Sequence, residues 1–146
     1  MALKEFIQRC LDQHYNSLVR SVEGLTQREL SWRPDPQSTS IGFLVWHYGR
    51  TLDRWIHARL QGVLQLWEQG WAGQFERMPP DPNDTGYGFT LEQLEAFKTP
   101  SASALLGYAQ AVKDRAAEFL EALDDDTLER VMTDNAAEYR SSNFRN

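Results

Sequence analysis

The sequence predicts an all-α protein: a helical bundle with one long crossover connection. Three long stretches place apolar residues at helical spacing, and no stretch alternates convincingly enough to be a strand. Between the second and third stretches lies a connection, residues 62–100, that is much longer than a simple turn. A long crossover allows the two helices that it joins to run parallel to each other.

The first helix is predicted from about Leu3 to Glu23, and Gly24 ends it. A lone histidine on an apolar face is more often a hydrogen-bonded core residue than a ligand, so we expect His14 in the core. Cys10 lies near the same face and is expected to be a buried structural thiol, because nothing nearby would lower its pKa. The apolar stripe of this helix consists of Leu3, Ile7, Leu11, His14, Leu18, Val22 and Leu25.

A short helical turn follows the first helix. Thr26 and Glu29 have the spacing of a capping box, in which two side chains satisfy backbone N–H groups at a helix start. Pro34 and Pro36 cannot continue a helix, so the chain should turn around residues 33–37. The next helix is then capped by one of three hydroxyl residues, Ser38, Thr39 or Ser40.

The second long helix should run from Ile41 to about Gln61. At 100° per residue, six side chains lie within about 60° of one line and form the predicted core face. His47 lies about 120° from Ile41 on the same count, at the rim of the core. The predicted core face consists of Leu44, Val45, Tyr48, Leu52, Trp55 and Ile56.

The crossover is rich in aromatic residues, glycine and proline. Helical turns are predicted at Leu64–Gly70 and at Thr90–Phe97, where Thr90 and Gln93 again have capping-box spacing. Aromatic residues at this density usually pack in a core, although they could also line a pocket for an apolar or thiol-bearing ligand. The residues concerned are Trp46, Trp55, Trp67, Trp71, Tyr87 and Phe89.

The third helix is predicted from about Ser101 to Leu123, directly after Pro100. The acidic run Asp124 to Asp126 should cap the following turn. After Arg130 the sequence shows no amphipathic repeat long enough for a further bundle helix. We therefore divide the chain into a helical domain, residues 1–133, and a polar C-terminal tail, residues 134–146.

Composition limits the classes of function. The chain has 146 residues, enough for one domain, and a formal net charge of −6, which argues against binding to nucleic acid or to an anionic membrane surface. A single cysteine excludes an intramolecular disulfide and a cysteine-based zinc site. Neither a signal peptide nor a membrane span is evident, so we expect a cytoplasmic protein.

The pattern GLTQRELSWRP, then SIGFLVWH with Trp55 eight residues after its histidine, and then a crossover rich in tryptophan and glycine, resembles the DinB/YfiT-like superfamily. The subgroup that it most resembles is bacterial. The resemblance covers roughly residues 5 to 130. It implies a four-helix bundle, often dimeric, with a divalent metal ion held by three histidines at one end of the bundle.

His47 matches the first metal ligand of that family. The resemblance places the other two ligands in a fourth helix, in an H-x-x-x-H motif followed by Gly-Gln-Ile, and this sequence contains no such motif. The fourth helix is therefore predicted to be short, replaced or missing. The chain could be a truncated or frameshifted product, a partner chain could complete it, or an open groove could remain.

The other histidines offer little help in rebuilding the site. His47 and His57 are ten residues apart, so on one helix they differ by about 80° in direction and about 15 Å along the axis. Asp53 and His57 have i, i+4 spacing, but we assign them to a polar face, where a solvated ion pair is a better interpretation than a metal site.

Two functional hypotheses remain. In the first, the protein is a metal-binding member related to thiol-dependent S-transferases, with zinc or nickel at His47, a low-molecular-weight thiol as a further cofactor, and an incomplete metal site in this chain. In the second, it is a non-catalytic helical module that dimerises or binds a small-molecule ligand on its aromatic crossover. A homodimer is expected in either case.

Overall fold

The computed structural model describes residues 3–124 and 126–127. Helices are the regular elements of this part of the chain, and none of them is long and apolar enough to cross a membrane. The all-α prediction is confirmed. In order, the helices are α1 (Leu3–Val22), α2 (Gln27–Ser31), α3 (Ile41–Asp53), π1 (Arg54–Gln61), π2 (Trp67–Trp71), α4 (Ala72–Gln74), α5 (Leu91–Ala96) and α6 (Ala102–Ala122).

Helix starts follow the predicted capping chemistry. Both capping boxes form, at Thr26 with Glu29 and at Thr90 with Gln93. Of the three hydroxyl residues proposed for α3, Ser40 is the cap, and its side chain accepts a hydrogen bond from the backbone N–H of Phe43. These bonds satisfy N–H groups that have no partner within their own helix.

The bundle is organised around α6, which packs against both α1 and α3. Its buried side chains repeat at helical spacing, as predicted from the sequence. The close approach to α3 occurs at Gly49, where an added Cβ would lie 2.9 Å from the ring of Tyr108. The absence of a side chain at Gly49 therefore lets the two helices touch. The buried residues of α6 are Leu105, Tyr108, Ala109, Val112, Ala116 and Leu120.

The predicted core face of the second long helix is wrong in part. Leu44 is 52% exposed and Trp55 is also exposed, whereas Val45 and Ile56 are buried as expected. The face that packs inward includes two glycines and a charged pair, which a count of apolar residues leaves out. From Arg54 onward the helix is π-helical, so a count of 100° per residue no longer applies there. The inward-facing residues of α3 are Gly42, Phe43, Val45, Trp46, Gly49, Arg50 and Asp53.

The prediction for α1 is also corrected. Val22 is buried, but Leu3 and His14 are exposed, so His14 is not a core residue. The stripe of α1 faces α6 over part of its length, and Asp12 pairs with Lys113 across that contact at 2.8 Å. Cys10 is half-buried.

The C-terminal predictions are tested in one place. The backbone N–H of Thr127 donates to the Asp124 carboxylate at 2.6 Å, in agreement with the predicted cap. The missing or replaced fourth helix concerns residues that lie outside those the structure describes.

Candidate functional site

Two regions contain the polar and aromatic side chains that are candidates for binding or catalysis. The first is a buried cluster of Arg50, Asp53, His57 and Tyr108, here called the Asp53 cluster. The second is an open groove beside the crossover, here called the crossover groove, whose lining includes Glu76, Arg77, Met78, Asp81, Asp84, Tyr87, Phe89 and Phe97.

The Asp53 carboxylate is the centre of the buried cluster. It accepts hydrogen bonds from the Tyr108 hydroxyl at 2.6 Å and from the backbone N–H groups of Leu66 at 3.0 Å and Trp67 at 2.9 Å. Its Oδ1 also lies 2.7 Å from Nδ1 of His57. Through these hydrogen bonds the carboxylate connects the start of π2, in the crossover, to α3 and α6.

Arg50 binds a second part of the crossover, residues 82–84, to the Asp53 cluster. Its Nη1 donates to the Tyr108 hydroxyl at 2.9 Å and lies 3.3 Å from Asp53 Oδ2. Its other donors reach the backbone carbonyls of Asp84 at 3.0 Å and Pro82 at 3.2 Å. The guanidinium also lies over the ring of Trp67, 4.4 Å from its centroid.

These groups are buried, which corrects a prediction. Arg50 and Asp53 are 0% exposed and His57 is 5% exposed, so the Asp53–His57 pair is not solvated. A count of apolar residues places the pair on a polar face, because both residues are polar. Local spacing cannot show that Tyr108 and two backbone N–H groups of the crossover satisfy the carboxylate.

The electrostatics of the cluster agree with a structural role. Burial by itself raises the pKa of Asp53, but hydrogen bonds from His57, Tyr108, Trp67 and Leu66 outweigh it and hold that pKa below the ordinary value. Burial raises the pKa of Tyr108. Asp53 is therefore an ionised carboxylate whose partners are all supplied by the fold, which leaves it poorly placed to act on a ligand.

His47 lies at the rim of the core, as predicted, and it is half-buried. Its Nδ1 lies 2.5 Å from the carbonyl oxygen of Thr85 in the crossover. A carbonyl oxygen only accepts hydrogen bonds, so Nδ1 carries a proton and Nε2 is the basic nitrogen in the neutral ring. The imidazole also stacks on Phe43, with 6.1 Å between ring centroids. This contact to Thr85 was not predicted, because the two residues are far apart in the sequence.

The three histidines do not assemble into a metal centre. His14 is exposed on α1, and His57 is committed to the Asp53 cluster. Among residues 3–124 and 126–127, no three His, Cys, Asp or Glu side chains come together in a way that could hold a metal ion. With three histidines in the whole sequence, the side chains present do not fit the three-histidine site implied by the resemblance.

The crossover groove is open to solvent and has a volume of about 590 Å3. One edge is the loop from Thr85 to Phe89, in which Gly86 and Gly88 both have positive φ. Gly86 is pressed against the core, where an added Cβ would lie 2.6 Å from the ring of Phe43. Tyr87, between the two glycines, projects outward and is 89% exposed.

The six aromatic residues for which packing or a ligand pocket was considered lie in different environments. Trp46 and Trp67 are fully buried core residues, in agreement with the packing interpretation. Trp71 and Phe89 are half-buried, and Trp55 is exposed on a different element. Tyr87 and Phe89 belong to the groove, so the ligand-binding alternative applies to these two residues.

Comparisons with known proteins give a family and a fold. A family model described as the DinB superfamily matches residues 11–144. A crystal structure of a conserved protein from Enterococcus faecalis resembles the chain with a TM-score of 0.75 and 23% identity, over 86% of this chain and 74% of that chain. At that identity the likeness shows the fold alone. No curated protein matches the sequence.

Proposed function

The chain belongs to the DinB superfamily, and from that premise we propose that it is a binding module that takes a small organic ligand in the crossover groove. The observation that carries the proposal is Tyr87, a large aromatic side chain that is 89% exposed at the edge of a groove of about 590 Å3. Ligand pockets of proteins commonly have volumes of about 300–1,000 Å3 and contain aromatic side chains.

The backbone that carries Tyr87 is constrained from several sides. His47 holds the Thr85 carbonyl, and Gly86 fits against Phe43 in a conformation, φ +83°, that other residues rarely adopt. The backbone of such a loop loses little conformational freedom when a ligand binds. The constrained backbone beside Tyr87 therefore supports a role for this exposed ring as a stacking surface.

A titration of the full chain with 2-phenylethanol, a neutral aromatic probe, tests the proposal. We expect shifts of backbone amide NMR signals at Tyr87, Gly88 and Phe89, and we expect Tyr87→Ala to abolish them. Trp32→Ala is the matched control, because Trp32 is also a highly exposed aromatic residue but does not line the groove. The proposal would be contradicted if Tyr87→Ala and Trp32→Ala reduced the amide shifts equally, or if the probe shifted only signals outside the groove.

Metal binding at His47 is a second candidate, supported by the tautomer of that histidine. Metal-ligating histidines typically donate their other ring N–H to a carbonyl or carboxylate, as Nδ1 of His47 does to Thr85. Zinc or nickel bound at Nε2 would need further donors, from a low-molecular-weight thiol or from a second chain. A relation to thiol-dependent S-transferases would therefore require a metal ion at His47 with ligands from outside this chain.

Metal content of the untagged protein tests this candidate. His47→Asn removes Nε2 and retains an amide that can donate to Thr85, whereas His47→Ala removes both contacts. Stoichiometric zinc or nickel in the wild type, lost in both variants and retained in His14→Ala, would support metal binding at His47. A wild-type protein without metal, prepared in metal-supplemented medium, would contradict it.

The homodimer remains a prediction. It is supported by exposed apolar side chains on one side of α3, Ile41 and Leu44. Exposed apolar side chains that lie together often mark protein interfaces. Light scattering on the wild type and on Leu44→Glu tests it: we expect a dimer that the substitution weakens, and a wild-type monomer would contradict the prediction.

A further inference from the structure

We propose that the ligand of the crossover groove is a small organic cation, an amine or quaternary ammonium group attached to an apolar body. This inference rests on the proposed function, because it specifies the ligand class of the same groove. Three features support it: the charge of the groove lining, the aromatic surfaces within the groove and the pairing of Arg77.

The lining of the groove is acidic. It includes the three carboxylates Glu76, Asp81 and Asp84, whereas Arg77 is the cationic side chain among the lining residues. Asp84 is already paired with Arg77, through a contact to Nε and a hydrogen bond of 2.8 Å from Nη2. Glu76 and Asp81 therefore determine the charge that a ligand would meet.

These two carboxylates are weakly compensated. Lys98 lies 3.5 Å from Glu76, but both side chains are highly exposed, and such surface pairs contribute little and are screened by salt. Asp81 accepts a hydrogen bond from the backbone N–H of Asn83 at 2.8 Å, which leaves its second oxygen for other partners. An ammonium group in the groove would be attracted by both carboxylates.

The protein already holds one cation against aromatic rings at this place. The guanidinium of Arg77 lies 5.2 Å from the ring centroid of Trp46 and 6.0 Å from those of Phe89 and Phe97. Cations favour such positions because the face of an aromatic ring carries negative charge. Tyr87 offers a further ring beside the same carboxylates, and exposed Met78 offers an apolar rim for the body of a ligand.

An anionic ligand is disfavoured by the same arrangement. It would face Glu76 and Asp81 across the groove, and the guanidinium that could receive it already donates to Asp84. The expected order of affinity is therefore cation first, neutral molecule second and anion last.

Three aromatic probes of similar size test this order: phenethylammonium, 2-phenylethanol and phenylacetate, each titrated into the full chain at low salt and followed by amide NMR signals of the groove. We expect phenethylammonium to bind roughly five- to tenfold more tightly than 2-phenylethanol, since a cation–π contact and one or two exposed charge pairs supply about that factor. The advantage should shrink in high salt, whereas the affinity for 2-phenylethanol should not fall.

Charge-neutralising variants complete the test. Asp81→Asn removes the charge and keeps an oxygen that can accept the hydrogen bond from the Asn83 N–H. Glu76→Gln removes the charge of the other carboxylate. We expect the double variant to abolish the preference for the cation over 2-phenylethanol. Glu118→Gln, at an exposed carboxylate on α6, is the control and should preserve the preference.

The outcomes separate the two proposals. If 2-phenylethanol binds in the groove but the cation binds no more tightly, or if the double variant keeps the preference, the inference about charge is wrong and the binding module stands. If none of the three probes shifts the groove signals, both the inference and the proposed function are wrong.

Discussion

The Asp53 cluster and the crossover groove hold similar chemical groups in opposite situations. Each contains an arginine, at least one carboxylate and a tyrosine, and the arginine of each lies over an aromatic ring. In the cluster, Arg50 and Asp53 are fully buried and take their partners from α3, α6 and the crossover. In the groove, Asp81 and Tyr87 are exposed at the edge of open space.

The difference shows which groups stabilise the fold and which can meet a ligand. A buried charge without a partner is expensive, so the partners that satisfy Asp53 are part of the fold itself. Exposed side chains on a constrained loop contribute little to stability and are free to bind. Substitutions in the two regions should therefore separate stability from ligand binding.

The largest expected effect is that of Asp53→Asn. The substitution leaves Arg50 buried without its counter-ion and places an amide against the N–H groups of Leu66 and Trp67, so we expect a loss of about 3–5 kcal/mol in the free energy of unfolding. Urea denaturation measures it. Asp12→Asn, which breaks a partly exposed pair with Lys113, should cost less than about 1 kcal/mol. Similar losses in the two variants would mean that burial does not set the importance of Asp53.

A pair of glycine substitutions tests the loop that displays Tyr87. Gly86→Ala introduces a Cβ within 2.6 Å of the Phe43 ring at a positive φ, so we expect a loss of about 2–4 kcal/mol from overlap and backbone strain together. Gly88→Ala has a similar φ of +74° but no atom within 4 Å, and should cost only about 1 kcal/mol. Thermal unfolding compares them, and equal losses would show that Gly86 is not seated in the core.

The ionisation of Asp53 predicts how the stability of the protein changes at acidic pH. Since its pKa in the folded state lies below the ordinary value of 3.8, this group contributes stability at pH values above 3.8, and the contribution is lost as the pH falls through the folded-state pKa. A carbon-13 NMR titration of the carboxyl group should give a midpoint below 3.8. A midpoint above that value would mean that desolvation outweighs the hydrogen bonds.

The smallest expected effect on stability comes from the groove. Tyr87→Ala removes a side chain that is 89% exposed, so the free energy of unfolding should change by no more than about 0.5 kcal/mol, while binding of aromatic probes is lost. Urea denaturation and the probe titration on the same sample check both parts. A loss of stability comparable to that of Gly86→Ala would contradict the proposed division between the two regions.

The sequence predicted the helices well because their signals are local. The caps at Thr26, Ser40 and Thr90, and the apolar repeat of α6, depend on residues three or four positions apart. The crossover turns were predicted for the same reason. Family membership was also recognisable from short patterns around α2 and α3.

The site was less predictable because its contacts join distant parts of the chain. Asp53 meets Tyr108 across 55 residues, and His47 meets Thr85 across 38. Spacing along a helix cannot reveal such partners, and a count of apolar residues places Asp53 and His57 on a solvated polar face, whereas both are buried. His47 at the rim of the core was predicted correctly, since that depended on helical geometry alone; its role as a metal ligand and the domain boundary at residue 133 remain predictions.

The most direct test of ligand binding in the crossover groove is an amide NMR titration of the wild-type chain with phenethylammonium. We expect shifts concentrated at residues 76–89 and 93–97, with the amides of Arg50, Asp53 and Tyr108 unchanged. Shifts centred on the Asp53 cluster, or a saturating titration that leaves the groove signals in place, would contradict it.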